Sequence, residues 1–160
     1  MTLSSALVCA FVYWLMRYLD NTTGWDAMAR PIVVAPVVGL VLGDFKTGII
    51  MGASLEAIFM GISAIGGAIP ADALSGTVIA VAYAIGAGSE GAMETGLALA
   101  MSIGTLMSSI SSMFTPLWAG LAPWWEKEAA ECNPVKFSAL NWIMEGVRGL
   151  PQTVVIFLGV

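Results

Sequence analysis

A long apolar run extends from Arg30 to Gly61. It is broken by glycines and contains charged residues, and it limits the folds open to this chain more than any other feature. Asp44, Lys46 and Glu56 lie inside the run, and Pro36 interrupts it. Charged side chains within an apolar membrane segment are expensive, and they usually face a bundle interior or a water-filled cavity. Transporters build substrate sites from broken helices at mid-membrane depth. The run therefore predicts a membrane protein with an internal polar site.

The composition supports the same class. Hydrophobic residues make up 58% of the chain, charged residues make up 11%, and the mean hydropathy is +0.87. Soluble domains have roughly 45–50% apolar and about 25% charged residues. A chain of 160 residues can hold about five or six membrane spans. We expect an all-α, polytopic transmembrane protein with broken or re-entrant helices.

Several function classes are excluded by what the chain contains. It has six lysines and arginines without a basic run, so it is not expected to bind nucleic acid. It has no histidine, and its cysteines, Cys9 and Cys132, are far apart in the sequence. We therefore expect no metal site, no cofactor and no catalytic residue in this chain.

Hydropathy divides the chain into four parts. Residues 1–29 form a first membrane helix, over Leu3–Leu19, and a loop. Residues 30–125 form a membrane core of broken helices, in which Gly43–Gly48 is expected to be a turn. Residues 126–149 form a polar and amphipathic linker, weakly favoured to be cytoplasmic by its lysines. Residues 150–160 start a further membrane helix, and because it has no natural end we expect a portion of a longer protein.

Two proline positions and one glycine pattern add to this division. Pro116 and Pro123 are expected to end a helix and to start an interfacial stretch. Gly39 and Gly43, like Gly48 and Gly52, have the spacing that lets membrane helices approach closely. The frequency of glycine in this chain leaves a chance match equally open.

Four short motifs carry a resemblance to a known family. They are Arg30-Pro31, the GDxxTG segment Gly43–Gly48, the pair Leu55-Glu56, and the PADA segment Pro70–Ala73. With the apolar residues around them, they resemble the IIC membrane subunit of the mannose-family sugar phosphotransferase systems. That family takes up mannose, fructose, sorbose or N-acetylgalactosamine.

The resemblance implies a function and a set of partners. A IIC subunit binds a hexose or amino sugar in the bacterial cytoplasmic (inner) membrane and carries it inward, where the IIB domain phosphorylates it. It acts with a IID membrane subunit and with cytoplasmic IIA and IIB phosphocarrier domains, and an oligomer is expected. Two alternatives stay open: a secondary transporter or channel that releases unmodified solute, and a membrane scaffold or receptor subunit that transports nothing.

Two carboxylates are the main candidates for sugar contact. Charge-assisted hydrogen bonds to sugar hydroxyls are stronger than neutral ones. Glu56 lies midway along an apolar run, where it either contacts the sugar, pairs with Lys46 or a partner subunit, or is protonated. Asp72 follows Pro70 at a predicted helix start, where it either caps the helix or contacts the sugar or a gate.

The remaining candidates are hydroxyls and one turn. Ser54, Ser63, Ser75 and Thr77 either add hydroxyl contacts or bond back to their own helix. Asp44 and Lys46 form either a solvated surface turn or a gating or docking turn for the phosphorylating domain.

Overall fold

A computed structural model describes residues 2–24, 27–62, 69–89 and 91–160, and this part of the chain folds into eight α-helices. The helices are α1 Leu3–Thr23, α2 Pro31–Leu42, α3 Phe45–Phe59, α4 Ala73–Ala87, α5 Ala92–Ala119, α6 Ala122–Ala130, α7 Pro134–Arg148 and α8 Leu150–Gly159. The all-α prediction is confirmed.

Helices α2 and α3 form a tight antiparallel hairpin. Pro31 occupies the first turn of α2, where its missing N–H costs no hydrogen bond. The helix ends at Gly43, whose φ of 87° is in the left-handed region that favours glycine. Phe45 already begins α3, so the predicted turn Gly43–Gly48 is shorter than expected. At 12 residues, α2 is about 18 Å long and falls short of the roughly 30 Å hydrocarbon core.

Backbone contact holds this hairpin together. A Cβ on Gly48 would lie 2.6 Å from the carbonyl oxygen of Ala35, and one on Gly39 would lie 2.8 Å from the Cα of Gly48. The glycine spacing in the sequence therefore reflects close packing at Gly39 and Gly48. Gly43 differs, because it ends α2 instead of packing.

Helix α4 lies in the middle of the core. Leu74, Val78 and Val81 on it are at most 1% exposed, and the helix packs against α1, α2, α3 and α5. A Cβ on Gly76 would lie 2.5 Å from the carbonyl oxygen of Ala100, so α4 and α5 also cross in backbone contact. This crossing fixes the start of α4 against α5.

Helix α5 is the one helix in the described ranges that is long and apolar enough to cross a membrane. The expectation that Pro116 ends a helix is wrong: Pro116 lies inside α5, which continues to Ala119. Proline is tolerated inside membrane helices when local adjustments satisfy the freed backbone groups. Pro123 falls in the first turn of α6, in agreement with its predicted role as a start.

The segment after α5 returns to the first helix. The second half of the predicted linker, residues 126–149, contains α7, which starts at Pro134 after an Asn133 cap. The indole N–H of Trp14 donates to the carbonyl of Gly146 at 2.9 Å, and Trp14 stacks on Tyr18. These contacts attach α7 to α1.

Candidate functional site

A cavity of about 440 Å³ lies where α1, α4, α5, α7 and α8 meet. Ligand pockets usually span roughly 300–1,000 Å³. Its lining side chains are mostly polar, and they comprise two acids, two arginines, two amides, four hydroxyls and one indole. They are Asp72, Glu145, Arg17, Arg148, Asn21, Gln152, Ser108, Ser111, Ser112, Thr115 and Trp118.

The carboxylate of Asp72 faces this cavity. Asp72 occupies the N-cap position of α4, but its side chain makes no capping hydrogen bond. Instead it lies 3.6 Å from the guanidinium of Arg17 and accepts a 3.4 Å hydrogen bond from the hydroxyl of Tyr13. The backbone N–H of Asp72 donates to the carbonyl of Gly104 at 2.9 Å. Side-chain capping by Asp72, one of the two sequence interpretations, is therefore wrong.

A second acid and base lie on the α7 side. Glu145 accepts from the amide of Asn21 at 3.0 Å and pairs with Arg148 at 3.4 Å. The four charged groups of the cavity thus comprise two carboxylates and two guanidiniums, and their formal charges cancel. Charges that are paired in this way can line a water-filled cavity at membrane depth.

The wall from α5 is a stripe of hydroxyls three or four residues apart. Ser112 donates to the carbonyl of Ser108, Thr115 donates to that of Ser111, and Ser108 donates to the carbonyl of Ile69. Ser111 differs from these three, because its hydroxyl receives a 3.3 Å hydrogen bond from the amide of Gln152.

Glu56 lies elsewhere in the fold. Its carboxylate is 3.4 Å from the guanidinium of Arg30 and accepts a 3.3 Å hydrogen bond from the backbone N–H of Ile32. A carboxylate is favourable at a helix N-terminus, here the start of α2. The alternative of a pair with Lys46 is wrong, since the two residues are ten positions apart on α3, about 15 Å along the axis. Glu56 is not among the residues that line the cavity, and its contact with sugar stays a prediction.

The turn before α3 is a helix cap. Asp44 accepts from the backbone N–H of Thr47 at 3.1 Å and from its hydroxyl at 2.6 Å. These hydrogen bonds hold the pKa of Asp44 below its ordinary value. Lys46 is exposed, and no ion pair joins it to Asp44 in the part of the chain that the structure describes. A gating or docking role for this turn stays a prediction.

Two of the predicted hydroxyls, those of Ser54 and Ser75, are satisfied locally. Ser54 donates to the carbonyl of Ile50 at 3.1 Å, and the fully buried Ser75 donates to the carbonyl of Asp72 at 3.1 Å. Ser63 lies outside the described residues. Thr77 is fully buried, and its hydroxyl has no hydrogen-bond partner among the described residues, so the predicted bond back to its own helix is wrong. Thr77, Ser54 and Ser75 do not line the cavity.

Sequence reasoning missed most of the cavity. Arg17 was not among the candidate site residues, and in the structure it pairs with Asp72. Glu145, Arg148 and Gln152 went unnoticed, although Glu145 and Arg148 are three residues apart and lie on one face of α7. The hydroxyl stripe on α5 carries the same signal of helical spacing.

Comparison with known proteins decides the family. A model of the family described as the PTS system sorbose-specific IIC component matches residues 3–160. The chain belongs to this family. The predicted resemblance to the phosphotransferase IIC subunits is confirmed, and the protein is an integral membrane protein of this type.

Individual relatives of this IIC protein match it over different shares of their length. The putative N-acetylgalactosamine permease IIC component 2 of Escherichia coli (strain K12) is 36% identical over 105 residues, which are 64% of this chain and 79% of the relative. The sorbose-specific EIIC component of Klebsiella pneumoniae is 30% identical over 148 residues, which are 90% of this chain and 53% of the relative. The N-acetylgalactosamine permease IIC component 1 of Escherichia coli (strain K12) is 30% identical, and the chain covers 48% of it. The chain thus spans about half the length of the latter two.

A solved structure shows the same fold. The mannose transporter ManYZ, determined by cryo-electron microscopy in complex with microcin E492, matches 98% of this chain and 63% of its own chain. The TM-score is 0.77 and the sequence identity is 23%.

Proposed function

We propose that this IIC protein binds a sugar in the cavity around Asp72 and carries it inward across the bacterial inner membrane for phosphorylation. The observation that carries the proposal is the orientation of Asp72: its carboxylate faces a polar cavity with Arg17 instead of capping α4. Such an arrangement presents a charged acceptor to a ligand in the cavity.

The chemistry of the lining suits an uncharged, polyhydroxylated ring. The paired acids and bases give the cavity no net formal charge, so it offers no overall attraction to an ion. Carboxylates accept hydrogen bonds from sugar hydroxyls, and guanidiniums donate to their oxygens. The indole of Trp118 supplies an apolar face of the kind that packs against the C–H face of a sugar ring.

The transport cycle follows from this site and its expected partners. A multi-pass core of residues 30–125 moves beside a IID subunit and exposes the cavity, which it shares with α1, α7 and α8, alternately to the two sides of the membrane. Residues 126–149 form a cytoplasmic linker whose last turn, with Glu145 and Arg148, reaches the cavity, and residues 150–160 start a further membrane helix. The IIA and IIB domains pass phosphate to the sugar, and the charge of the sugar phosphate prevents its return through the bilayer.

A transport assay tests this function. The complete gene, with its IIA, IIB and IID neighbours, is expressed in cells that lack their own sugar phosphotransferase subunits. Labelled N-acetylgalactosamine, mannose, sorbose and fructose are then offered, and the intracellular label is separated into free sugar and sugar phosphate. We expect sugar phosphate that disappears when this subunit is deleted.

The other outcomes point to the two alternative functions. Free sugar inside the cells would indicate a secondary transporter or channel. No uptake of any of the four sugars, with all subunits present in the membrane, would favour a scaffold or receptor subunit.

A further inference from the structure

Gln152 is a buried polar residue in an apolar helix. It lies near the start of α8, in the segment LPQTVVIFLG, and only 3% of its surface is exposed. It nevertheless lines the cavity. A buried side-chain amide is costly unless both its oxygen and its nitrogen have hydrogen-bond partners.

The hydrogen bonds of Gln152 are incomplete. Its amide nitrogen donates to the hydroxyl of Ser111 at 3.3 Å, while its amide oxygen has no partner among the described residues. Rotating the amide by half a turn exchanges the two atoms, and one amide group then still lacks a partner. Unsatisfied buried polar groups are rare in native proteins and ask for an explanation.

We propose that a ligand in the cavity supplies the missing partner: the amide of Gln152 hydrogen-bonds one hydroxyl of the bound sugar and thereby selects among sugars that differ at that ring position. This inference rests on the function proposed above.

The position of Gln152 supports a role in selection. Asp72 projects from the start of α4 and Gln152 from α8, so the two residues approach the cavity from different walls. Ser111 holds the amide in one orientation. A site built to hydrogen-bond a hydroxyl rejects an analogue that lacks it, because the buried polar group is then left unpaired.

The test replaces the amide with an apolar group of similar size, Gln152→Met, in the complete complex. For each transported sugar and its monodeoxy analogues, we measure KM and maximal rate of uptake. In the unaltered protein, the analogue that lacks the contacted hydroxyl should show a KM about tenfold higher than the sugar. In Gln152→Met the KM for the sugar should rise by a similar factor, so that the sugar and that one analogue have the same KM.

Thr153→Val provides the matched control. Thr153 is the next residue on α8, its hydroxyl donates to the carbonyl of Gly149 at 2.8 Å, and it does not line the cavity. This variant should leave the ratios of KM between sugars and analogues unchanged. If Gln152→Met changes the KM of every sugar and analogue by the same factor, or changes none, the inference is overturned.

A second measurement distinguishes a ligand contact from a structural contact and does not depend on transport. The sugar-free complex of Gln152→Met should melt at the same temperature as the unaltered complex or higher, because an unpaired buried amide is removed. A lower melting temperature would show that Gln152 acts as a structural link to Ser111.

The proposed function and this inference can fail separately. If the unaltered complex forms no sugar phosphate, the proposed function fails, and equilibrium dialysis of the purified complex with the same labelled sugars then tests Gln152. In that assay the inference is supported if Gln152→Met binds one sugar and its deoxy analogue with equal affinity, while the unaltered complex prefers the sugar. It is overturned if the two complexes show the same ratio of affinities.

Discussion

The carboxylate of Asp72, the N-cap residue of α4, lies 3.6 Å from the guanidinium of Arg17 on α1, although the two residues are 55 positions apart in the sequence. Their side chains are only partly exposed, 14% for Asp72 and 29% for Arg17. Removing one member of such a pair leaves the other charge without its partner, which costs more than removing both. This relationship connects the packing of α1 on α4 to the cavity.

A double-mutant cycle measures this coupling. Asp72→Asn and Arg17→Gln should each destabilise the complex, and the double variant should be more stable than the sum of the single effects predicts. We expect a coupling free energy of about 0.5–3 kcal/mol, the usual range for residues in contact. Thermal unfolding of the purified complex in detergent measures it, and strict additivity would mean that the pair contributes nothing.

The capping role of Asp44 predicts a dependence of stability on pH. Hydrogen bonds from Thr47 lower the pKa of Asp44 in the folded protein, so its contribution to stability is fully present above the unfolded pKa of about 3.9. That contribution is lost as the pH falls through the lower folded pKa.

The measurement compares melting temperatures of the unaltered complex and Asp44→Ala. The variant should melt at a lower temperature at neutral pH, and the difference should shrink as the pH falls below about 4. A difference that grows on acidification would show that the carboxylate does not cap α3.

The backbone contact between α2 and α3 predicts a strong effect of one methyl group. In Gly48→Ala the new Cβ would lie 2.6 Å from the carbonyl oxygen of Ala35, so the hairpin must open. Overpacking of this kind typically costs about 1–3 kcal/mol. Gly61→Ala is the matched control, because its Cβ meets no described atom within 4 Å. Equal melting temperatures for the two variants would contradict the hairpin packing.

Glu56 can be tested against its partner. Because the structure pairs Glu56 with Arg30, we expect Glu56→Gln and Arg30→Gln to change uptake to the same small extent. Partly exposed pairs contribute about 0–1 kcal/mol. A direct contact of Glu56 with sugar would instead lower uptake in Glu56→Gln alone.

The sequence predicts the class of the fold better than the site. Broken apolar runs and the glycine spacing indicate short packed helices, and α2 and α3 agree with this because their close approach is encoded by local residues. The cavity depends on contacts between distant elements, such as Asn21 with Glu145, which hydropathy does not encode. Asp72 was found because proline and glycine around it mark a break. Arg17 was not a candidate because its partner lies 55 positions away.

Uptake kinetics of Asp72→Asn in the complete complex test the central claim, that the cavity at Asp72 is the sugar site. The matched control is Glu94→Gln, which neutralises an exposed carboxylate on α5 that does not line the cavity. We expect Asp72→Asn to raise the KM for the transported sugar about tenfold or more, since a charge-assisted hydrogen bond is lost, while Glu94→Gln leaves it unchanged. Equal KM values for both variants and the unaltered complex, at equal amounts of subunit in the membrane, would contradict the account.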